Sequence, residues 1–225
     1  ATILVTRGKS CHVKTLHTIL RFNLKCMQRG NTENEVVFVD DEPFEKAEII
    51  YKYLKSHDRI FFIDFGISVD DASLDKVFDK NDSIGCLVFP GVTEGIDWGM
   101  FKEKVVSKSK EPIEQMGLHF DTIVANLISD DIYSVNETSA KSWVMMNKNV
   151  TKHLKDKKNG AFKIHPRMKN MFLKFKESGI KIPMFFSYSE DWKNPQFNPL
   201  DPDIEFDRAL ENLETQAERD ELKKA

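Results

Sequence analysis

The sequence predicts an α/β protein with a mixed, mainly parallel sheet flanked by helices. In the first 90 residues, short β-rich apolar runs alternate with stretches of helical periodicity, and the connections between them are short. The first run is followed by the turn Arg7-Gly8-Lys9-Ser10, and the other three are followed directly by an acidic residue or a proline, which are typical of strand ends and turns. This alternation is typical of parallel strands joined by crossover helices.

The first strand is predicted at residues 2–6 and the second at Val36 to Val39. Between them, residues 11–29 are predicted to form a helix that ends at Gly30. Its expected buried face consists of apolar residues spaced three and four apart: Val13, Leu16, Leu20, Leu24 and Met27.

A second helix is expected to begin at Pro43 and to bury Phe44, Ala47, Ile50, Tyr51 and Leu54. The third strand is predicted at Ile60 to Ile63. The fourth is predicted at residues 84–89, closed by Pro90 and Gly91.

Beyond residue 90 the alternation weakens. The pattern predicts strands at residues 119–125, 143–146 and 182–188, and helices at residues 150–155 and 166–178. A connector containing Pro195, Pro199 and Pro202 follows, and then a charged helix at 205–224 with Phe206, Leu210, Leu213 and Ala217 on one face. We expect a single domain over 1–194, with 195–225 as an appendage. Docking on the domain ranks first for this helix, ahead of self-association or a linker role.

The composition is that of a globular protein, with 40% apolar and 31% charged residues and a formal charge of −3. The apolar runs are far shorter than the ~20 residues that span a bilayer, and no charged and apolar leader opens the chain. Three cysteines without paired metal spacing are expected to be reduced thiols. These features predict a cytoplasmic protein without a transmembrane segment.

The end of the third predicted strand carries the most informative motif. Asp64, Phe65 and Gly66 follow the buried-looking run Ile60 to Ile63 without a spacer. Open α/β sheets bind ligands at the carboxyl ends of their strands. A carboxylate placed there suits Mg²⁺ or Mn²⁺. Asp64 is therefore a candidate metal ligand.

The order of elements resembles GT-A glycosyltransferases, whose frame is a hydrophobic run, Asp-x-Asp, hydrophobic residues and a Leu. Here the frame reads IFFI, then Asp64-Phe65-Gly66, then Ile67-Ser68-Val69 and Leu74, so Gly66 replaces the second aspartate. A fainter resemblance covers residues 6–30 and the segments PGVTEGIDWGMF and HFDT. These look like the domains that large DNA viruses of algae, the chlorella viruses among them, use to glycosylate their capsid protein.

The resemblance implies a metal-dependent transferase that moves a sugar from a UDP-sugar or similar donor to a glycan or glycoprotein hydroxyl. Residues 1–90 would bind the nucleotide and 91–194 the acceptor, in the host cytoplasm if the protein is viral. Thr6, Arg7 and Asp40 would hold the base, ribose and phosphates, with Phe65 and Gly66 beside Asp64. Asp40 equally suits capping of the next helix, and capping is the expectation for Asp41.

An inverting transfer needs a base for the acceptor hydroxyl. Asp97 is the preferred candidate, because it lies in the Gly-rich segment 94–99 beside Trp98, which is suited to stacking on a sugar. Asp121 is the second candidate, and Glu190 with Asp191 the third. Surface charge on a loop is the competing interpretation for each.

Residues 141–181 contain twelve Lys or Arg and two acids, a charge that favours phosphate ligands. Most of these lysines fit a solvated helix face. Arg167 is a candidate for the diphosphate, and His165 is a candidate second metal ligand in the absence of an aspartate at 66.

Two other function classes stay open. A nucleotidyltransferase would need a Gly-rich phosphate loop, of which Arg7-Gly8-Lys9-Ser10 is a poor version. A nucleotide-binding or nucleic-acid-binding module could use the basic region 141–181, but the overall acidic balance argues against it, and no nucleic acid is expected.

Overall fold

The computed structural model describes residues 1–30, 33–92, 95–109, 113–129, 131–154 and 164–186. Its strands form one eight-stranded sheet in the order β2-β1-β3-β7-β4-β8-β6-β5. The strands are β1 (Thr2–Thr6), β2 (Val36–Asp40), β3 (Arg59–Ile63), β4 (Cys86–Phe89), β5 (Thr122–Ser129), β6 (Ile132–Thr138), β7 (Ser142–Met146) and β8 (Pro183–Phe185).

Within the same residues there are six α-helices and a 3₁₀ turn at Ile113–Gln115. The helices are α1 (Val13–Gln28), α2 (Pro43–Ser56), α3 (Asp71–Lys76), α4 (Trp98–Val106), α5 (Asn147–His153) and α6 (Met168–Glu177). None of these helices has both the length and the apolar character needed to cross a membrane.

The sheet is mixed, as predicted, but the expectation that it is mainly parallel is wrong, because four of its described strand pairs are antiparallel and three are parallel. β1 pairs in parallel with β2 and β3, and β4 pairs in parallel with β8. β7 lies antiparallel between β3 and β4, and the β5–β6 hairpin adds antiparallel pairs at the β8 edge. The mixed α/β class is therefore confirmed, and strands from both halves of the sequence share one sheet.

The core has two layers, one on each face of the sheet. In one layer Phe62 of β3 stacks on Trp143 of β7 with ring centroids 4.8 Å apart, and Phe172 of α6 packs edge-on against Trp143. The other layer contains Leu4 and Phe61 together with Phe22 of α1. Aromatic burial on both faces keeps the strand ends in fixed positions.

The predicted face of α2 is largely confirmed. Ala47, Ile50 and Leu54 are buried, whereas Phe44 is 72% exposed. Tyr53 takes a buried place instead, because its hydroxyl donates a hydrogen bond to Glu35 Oε1 at 2.5 Å and its ring packs inward.

The predicted buried face of α1 is wrong. Val13, Leu20 and Met27 are 76%, 59% and 78% exposed. The buried side of α1 consists of Thr15, Thr18, Ile19, Phe22 and Cys26. Thr18 tolerates burial because its hydroxyl donates to Lys14 O and accepts from Val69 N, both at 3.1 Å.

Three elements were not predicted: α3, α4 and β6. α4 begins inside the Gly-rich segment 94–99, for which no helix was predicted. The predicted connector and helix at 195–225 lie outside the described residues, and so do Glu190 and Asp191.

Candidate functional site

The carboxyl ends of β2, β1 and β3 bring several predicted site residues together. Thr6 and Asp40 are register partners at the ends of β1 and β2, and Asp64 directly follows β3. The buried Thr6 hydroxyl donates to Asp40 Oδ1 at 3.0 Å and also contacts Val39 O at 3.2 Å. Asp40 itself is exposed, so its carboxylate is oriented by Thr6 and presented to solvent.

Beside this pair, Asp41 binds two cationic side chains. Arg7 Nε donates to Asp41 Oδ2 at 2.7 Å, and Lys46 Nζ donates to Oδ1 at 2.5 Å. Partial burial acts to raise the pKa of Asp41, but the hydrogen bonds from Lys46 and Arg7 outweigh it and lower that pKa. Asp41 is therefore a carboxylate that positions two cations at the strand ends.

The expectation that Asp41 caps α2 is wrong, and Asp40 does not cap it either. Glu42 is the cap, since its side chain accepts from Glu45 N at 2.7 Å. Lys46 was missed by sequence reasoning because it looked like a solvated helix charge. It is only 8% exposed, and the preceding Asp41 was the available signal.

Phe65 lies beneath Arg7, whose guanidinium carbon is 4.9 Å from the ring centroid. The next residue, Gly66, has φ +80°, a left-handed conformation that glycine adopts without strain. Ile67 N donates back to Asp64 O at 3.3 Å and closes the turn. Gly66 therefore serves the turn, which explains why an aspartate is unfavourable at this position.

Asp64 is half-buried at the base of this site. Its carboxylate accepts a hydrogen bond from Phe65 N at 2.9 Å, and its own N–H donates to Lys141 O at 2.8 Å. Burial raises the pKa of Asp64, while the nearby charge of Lys46 and the Phe65 N–H oppose this shift. A positively charged ligand would favour the ionised carboxylate.

Asp121 lies at the same edge of the sheet but is enclosed. Its Oδ1 accepts from Gly91 N at 3.1 Å and from Thr122 Oγ1 at 2.9 Å, and its Oδ2 accepts from Lys141 N at 3.2 Å. The residue is 7% exposed, and burial raises the pKa of its carboxyl group. These contacts join the segments that follow β4 and precede β5 and β7.

Asp97 caps α4, with Oδ1 accepting from Met100 N at 2.9 Å. Its Oδ2 lies 2.9 Å from His119 Nε2. The Met100 hydrogen bond, together with that of His119, lowers the pKa of Asp97. A carboxylate stabilised in this way is a weaker base.

His165 and Arg167 make local contacts. His165 Nδ1 accepts from Arg167 N at 3.0 Å, and its Nε2 lies 3.4 Å from Asn170 Nδ2. Within the described residues, no contact joins either side chain to Asp64. The structure therefore does not bring His165 into a ligand pair with Asp64.

Among the described residues, no group of three or more His, Cys, Asp or Glu is arranged so that it could hold a metal ion. Mg²⁺ commonly takes only one or two protein carboxylates and completes its shell with phosphate oxygens and water. Asp64 fits such a role, because the Phe65 N–H is the only described donor that bonds to its carboxylate. The remaining acceptor positions of the carboxylate can therefore bind a metal ion.

Comparison with known proteins gives one finding. The model of a family described as SprA_N, motility related/secretion protein, matches residues 114–210, which is less than half of the chain. No curated protein matches the sequence. The matched stretch includes β5 to β8 and leaves out β1 to β4.

This finding contradicts the resemblance to GT-A glycosyltransferases and to the capsid-glycosylating enzymes of algal viruses, because the matched family is not a glycosyltransferase family. The resemblance depended on a short frame with one aspartate, and short motifs occur often by chance. Any function assigned to the strand-end site must therefore be argued from its own geometry.

Proposed function

We propose that the carboxyl ends of β1, β2 and β3 bind a nucleotide sugar, with a UDP-sugar foremost, and that the protein transfers the sugar to a hydroxyl of a glycan or glycoprotein. The observation that carries this proposal is the convergence of the oriented Asp40 carboxylate, the Arg7 and Lys46 cations and the half-buried Asp64. The proposal depends on these side chains and not on membership of a family.

Each group has a chemical counterpart in such a donor. Asp40 offers acceptor oxygens to ribose or base donors, with Thr6 holding its orientation. Arg7 has a 61% exposed side chain at the mouth of the site, and its planar fork matches phosphate oxygens. Lys46 adds a buried positive charge beside the same position.

Asp64 would hold Mn²⁺ or Mg²⁺ together with the diphosphate, and the ion would neutralise charge on the departing nucleoside diphosphate. Arg7 supports the same role from the protein side, since its guanidinium is fixed between Asp41 and the Phe65 ring. Fixed charges of this kind stabilise developing negative charge without reorganisation.

The contacts of the two candidate bases favour positioning roles. Asp121 uses both oxygens to join backbone segments, and Asp97 caps α4 with a lowered pKa. Their catalytic roles, and that of Arg167 at the diphosphate, stay predictions.

The proposal is tested by isothermal titration of nucleotide sugars and free nucleotides, with and without Mn²⁺, against the wild type and Asp64→Ala. Asp58→Ala is the matched control, because Asp58 precedes the same strand at its opposite end and is 83% exposed. We expect Asp64→Ala to lose about tenfold or more in affinity, equivalent to about 1.4 kcal/mol, and Asp58→Ala to bind like the wild type.

Binding should be followed by release of free nucleoside diphosphate when acceptor glycans are added. If no nucleotide sugar binds, or if Asp64→Ala binds as tightly as the wild type, the proposal is wrong. Binding of RNA or DNA with a steep salt dependence would instead favour the module based on residues 141–181.

A further inference from the structure

A cluster of three side chains lies at the amino ends of β2 and β3, at the opposite edge of the sheet from the strand-end site. Ser56 is the last residue of α2, His57 follows it, and Glu35 directly precedes β2. The Ser56 hydroxyl lies 2.8 Å from His57 Nδ1, and His57 Nε2 lies 3.2 Å from Glu35 Oε2. A hydroxyl, an imidazole and a carboxylate in this order are the groups that activate a serine nucleophile.

The Glu35 carboxylate is held from its other side by Tyr53, one turn before His57 on α2. The Tyr53 hydroxyl donates a hydrogen bond to Glu35 Oε1 at 2.5 Å. This hydrogen bond is the largest of the contacts that lower the pKa of Glu35. An ionised Glu35 favours the tautomer of His57 with its proton on Nε2, which leaves Nδ1 to accept the hydrogen bond from Ser56.

The position of His57 is fixed by its ring and by its backbone. The ring packs on that of Tyr53, with centroids 4.9 Å apart. The His57 carbonyl accepts from Asn147 Nδ2 at 2.7 Å, and the same amide donates to Tyr53 O at 3.1 Å. Asn147 is 2% exposed, so this anchor is part of the core. A base held in this way keeps its distance from the nucleophile.

The contacts of Ser56 favour His57 over the ordinary partner of a helical serine. A serine near a helix end commonly donates to the carbonyl four residues earlier. Ser178, at the end of α6, does so at 2.8 Å from Lys174 O. The Ser56 hydroxyl is 3.3 Å from the corresponding Lys52 O and only 2.8 Å from His57 Nδ1. The imidazole is therefore the closer acceptor.

A cavity of about 900 Å³ opens beside the cluster, and Ser56, His57 and Glu35 all line it. A cavity of this size suits a small organic molecule. Part of its wall is apolar and consists of Phe22, Phe61, Val77 and Phe78. Arg59 and Lys80 line the same cavity. The apolar wall suits an acyl group, and the two cations suit the oxyanion that forms when its carbonyl is attacked.

We propose that Ser56, His57 and Glu35 hydrolyse carboxylic esters with an apolar acyl group. Ser56 Oγ bonds to the carbonyl carbon while its proton passes to His57 Nδ1, and Glu35 stabilises the imidazolium. The C–O bond to the alcohol then breaks, and the alcohol leaves with that proton. Water, deprotonated by His57, cleaves the acyl-enzyme, which releases the carboxylic acid and restores the Ser56 hydroxyl. The proposal is independent of the proposed function, since none of these residues belongs to the strand-end site.

The test combines two measurements on the full chain. Release of p-nitrophenol from p-nitrophenyl butyrate measures hydrolysis, and a fluorophosphonate probe, located by mass spectrometry, marks the nucleophile. We expect the wild type to hydrolyse the ester and to carry the label on Ser56, and Ser56→Ala to lose both. Ser178→Ala is the matched control, because its hydroxyl also lies at a helix end near the carbonyl four residues earlier. The control should behave like the wild type.

Two further variants test the roles of the other residues. His57→Gln should slow hydrolysis about 100-fold, because proton transfer contributes about that much. Glu35→Gln should lower kcat with little change in KM, because Glu35 acts through His57 and does not touch the ester. Far-UV circular dichroism checks that each variant keeps its helices.

Four results would overturn the proposal. The first is a wild type that is not labelled, or that is labelled at another residue. The second is an equal loss of hydrolysis in Ser56→Ala and Ser178→Ala. The third is an unchanged rate in His57→Gln, and the fourth is an unchanged kcat in Glu35→Gln. Labelling of Ser56 that disappears in His57→Gln would support the proposal, because the probe reacts with a serine that a base has activated.

Discussion

Asp64 and Asp121 are two carboxylates at the same edge of the sheet, and both are connected to Lys141. Asp64 N donates to the Lys141 carbonyl, whereas Asp121 Oδ2 accepts from the Lys141 N–H. Burial raises the pKa of both. They differ in their partners, since described donors supply three hydrogen bonds to the Asp121 carboxylate and one to that of Asp64.

The difference shows that two carboxyl groups whose pKa values are both raised by burial can have different partners and different roles. A carboxylate that satisfies several buried donors holds backbone segments together, and its loss leaves those donors without partners. A carboxylate with one donor retains acceptor capacity for a ligand. Asp121 therefore holds backbone segments together, whereas Asp64 keeps the acceptor capacity that the proposed metal and diphosphate would use.

The largest expected effect is on stability. Asp121→Ala should lower the free energy of unfolding by about 3 kcal/mol, since three donors lose a buried acceptor at about 1 kcal/mol or more each. Asp64→Ala should cost less than about 1 kcal/mol. Urea unfolding of both variants measures this, and equal losses would remove the distinction between the two residues.

The next effect is the pH dependence of stability. Because the pKa of Asp64 is raised, the folded state binds the Asp64 proton more tightly than the unfolded state does. The stabilisation of the folded state by this proton is complete below the ordinary pKa of 3.8 and is lost as the pH rises through the raised pKa. Asp64→Asn removes this titration. Unfolding free energies measured upward from pH 3.8 should therefore fall more for the wild type than for Asp64→Asn, and parallel curves would contradict the raised pKa.

The smallest effect concerns Lys141, whose charge lowers the pKa of both carboxyl groups. Lys141→Met should raise both pKa values, which NMR titration of the aspartate carboxyl carbons would record. Lys148→Met is the control, because Lys148 is 87% exposed and pairs with the remote Asp58. A shift in only one of the two carboxyl groups would show that they do not share this cation.

The candidate site was predictable as far as it depended on strand ends. Thr6, Asp40 and Asp64 were found because parallel strands bring their carboxyl ends to one edge. The remaining groups depend on packing between elements distant in sequence. Lys46 looked like one helix charge among several, and the Asp121 contacts join residues 30 and 20 positions apart.

The positions of β1 to β4, the mixed α/β class and the burial of Ala47, Ile50 and Leu54 on α2 followed from the sequence, because period and strand length are local properties. The tertiary structure decided which face of α1 is buried. Both faces of α1 carry residues that can pack in a core. The buried face is fixed by the contacts of Thr18 with Val69 and of Phe22 with Phe61, and no local sequence pattern indicates these contacts. The tertiary structure also decided that the Asp64 carboxylate keeps acceptor capacity and that the Asp121 carboxylate is enclosed. The reason is that the backbone N–H groups that bond to the Asp121 carboxylate are brought near it only by the fold.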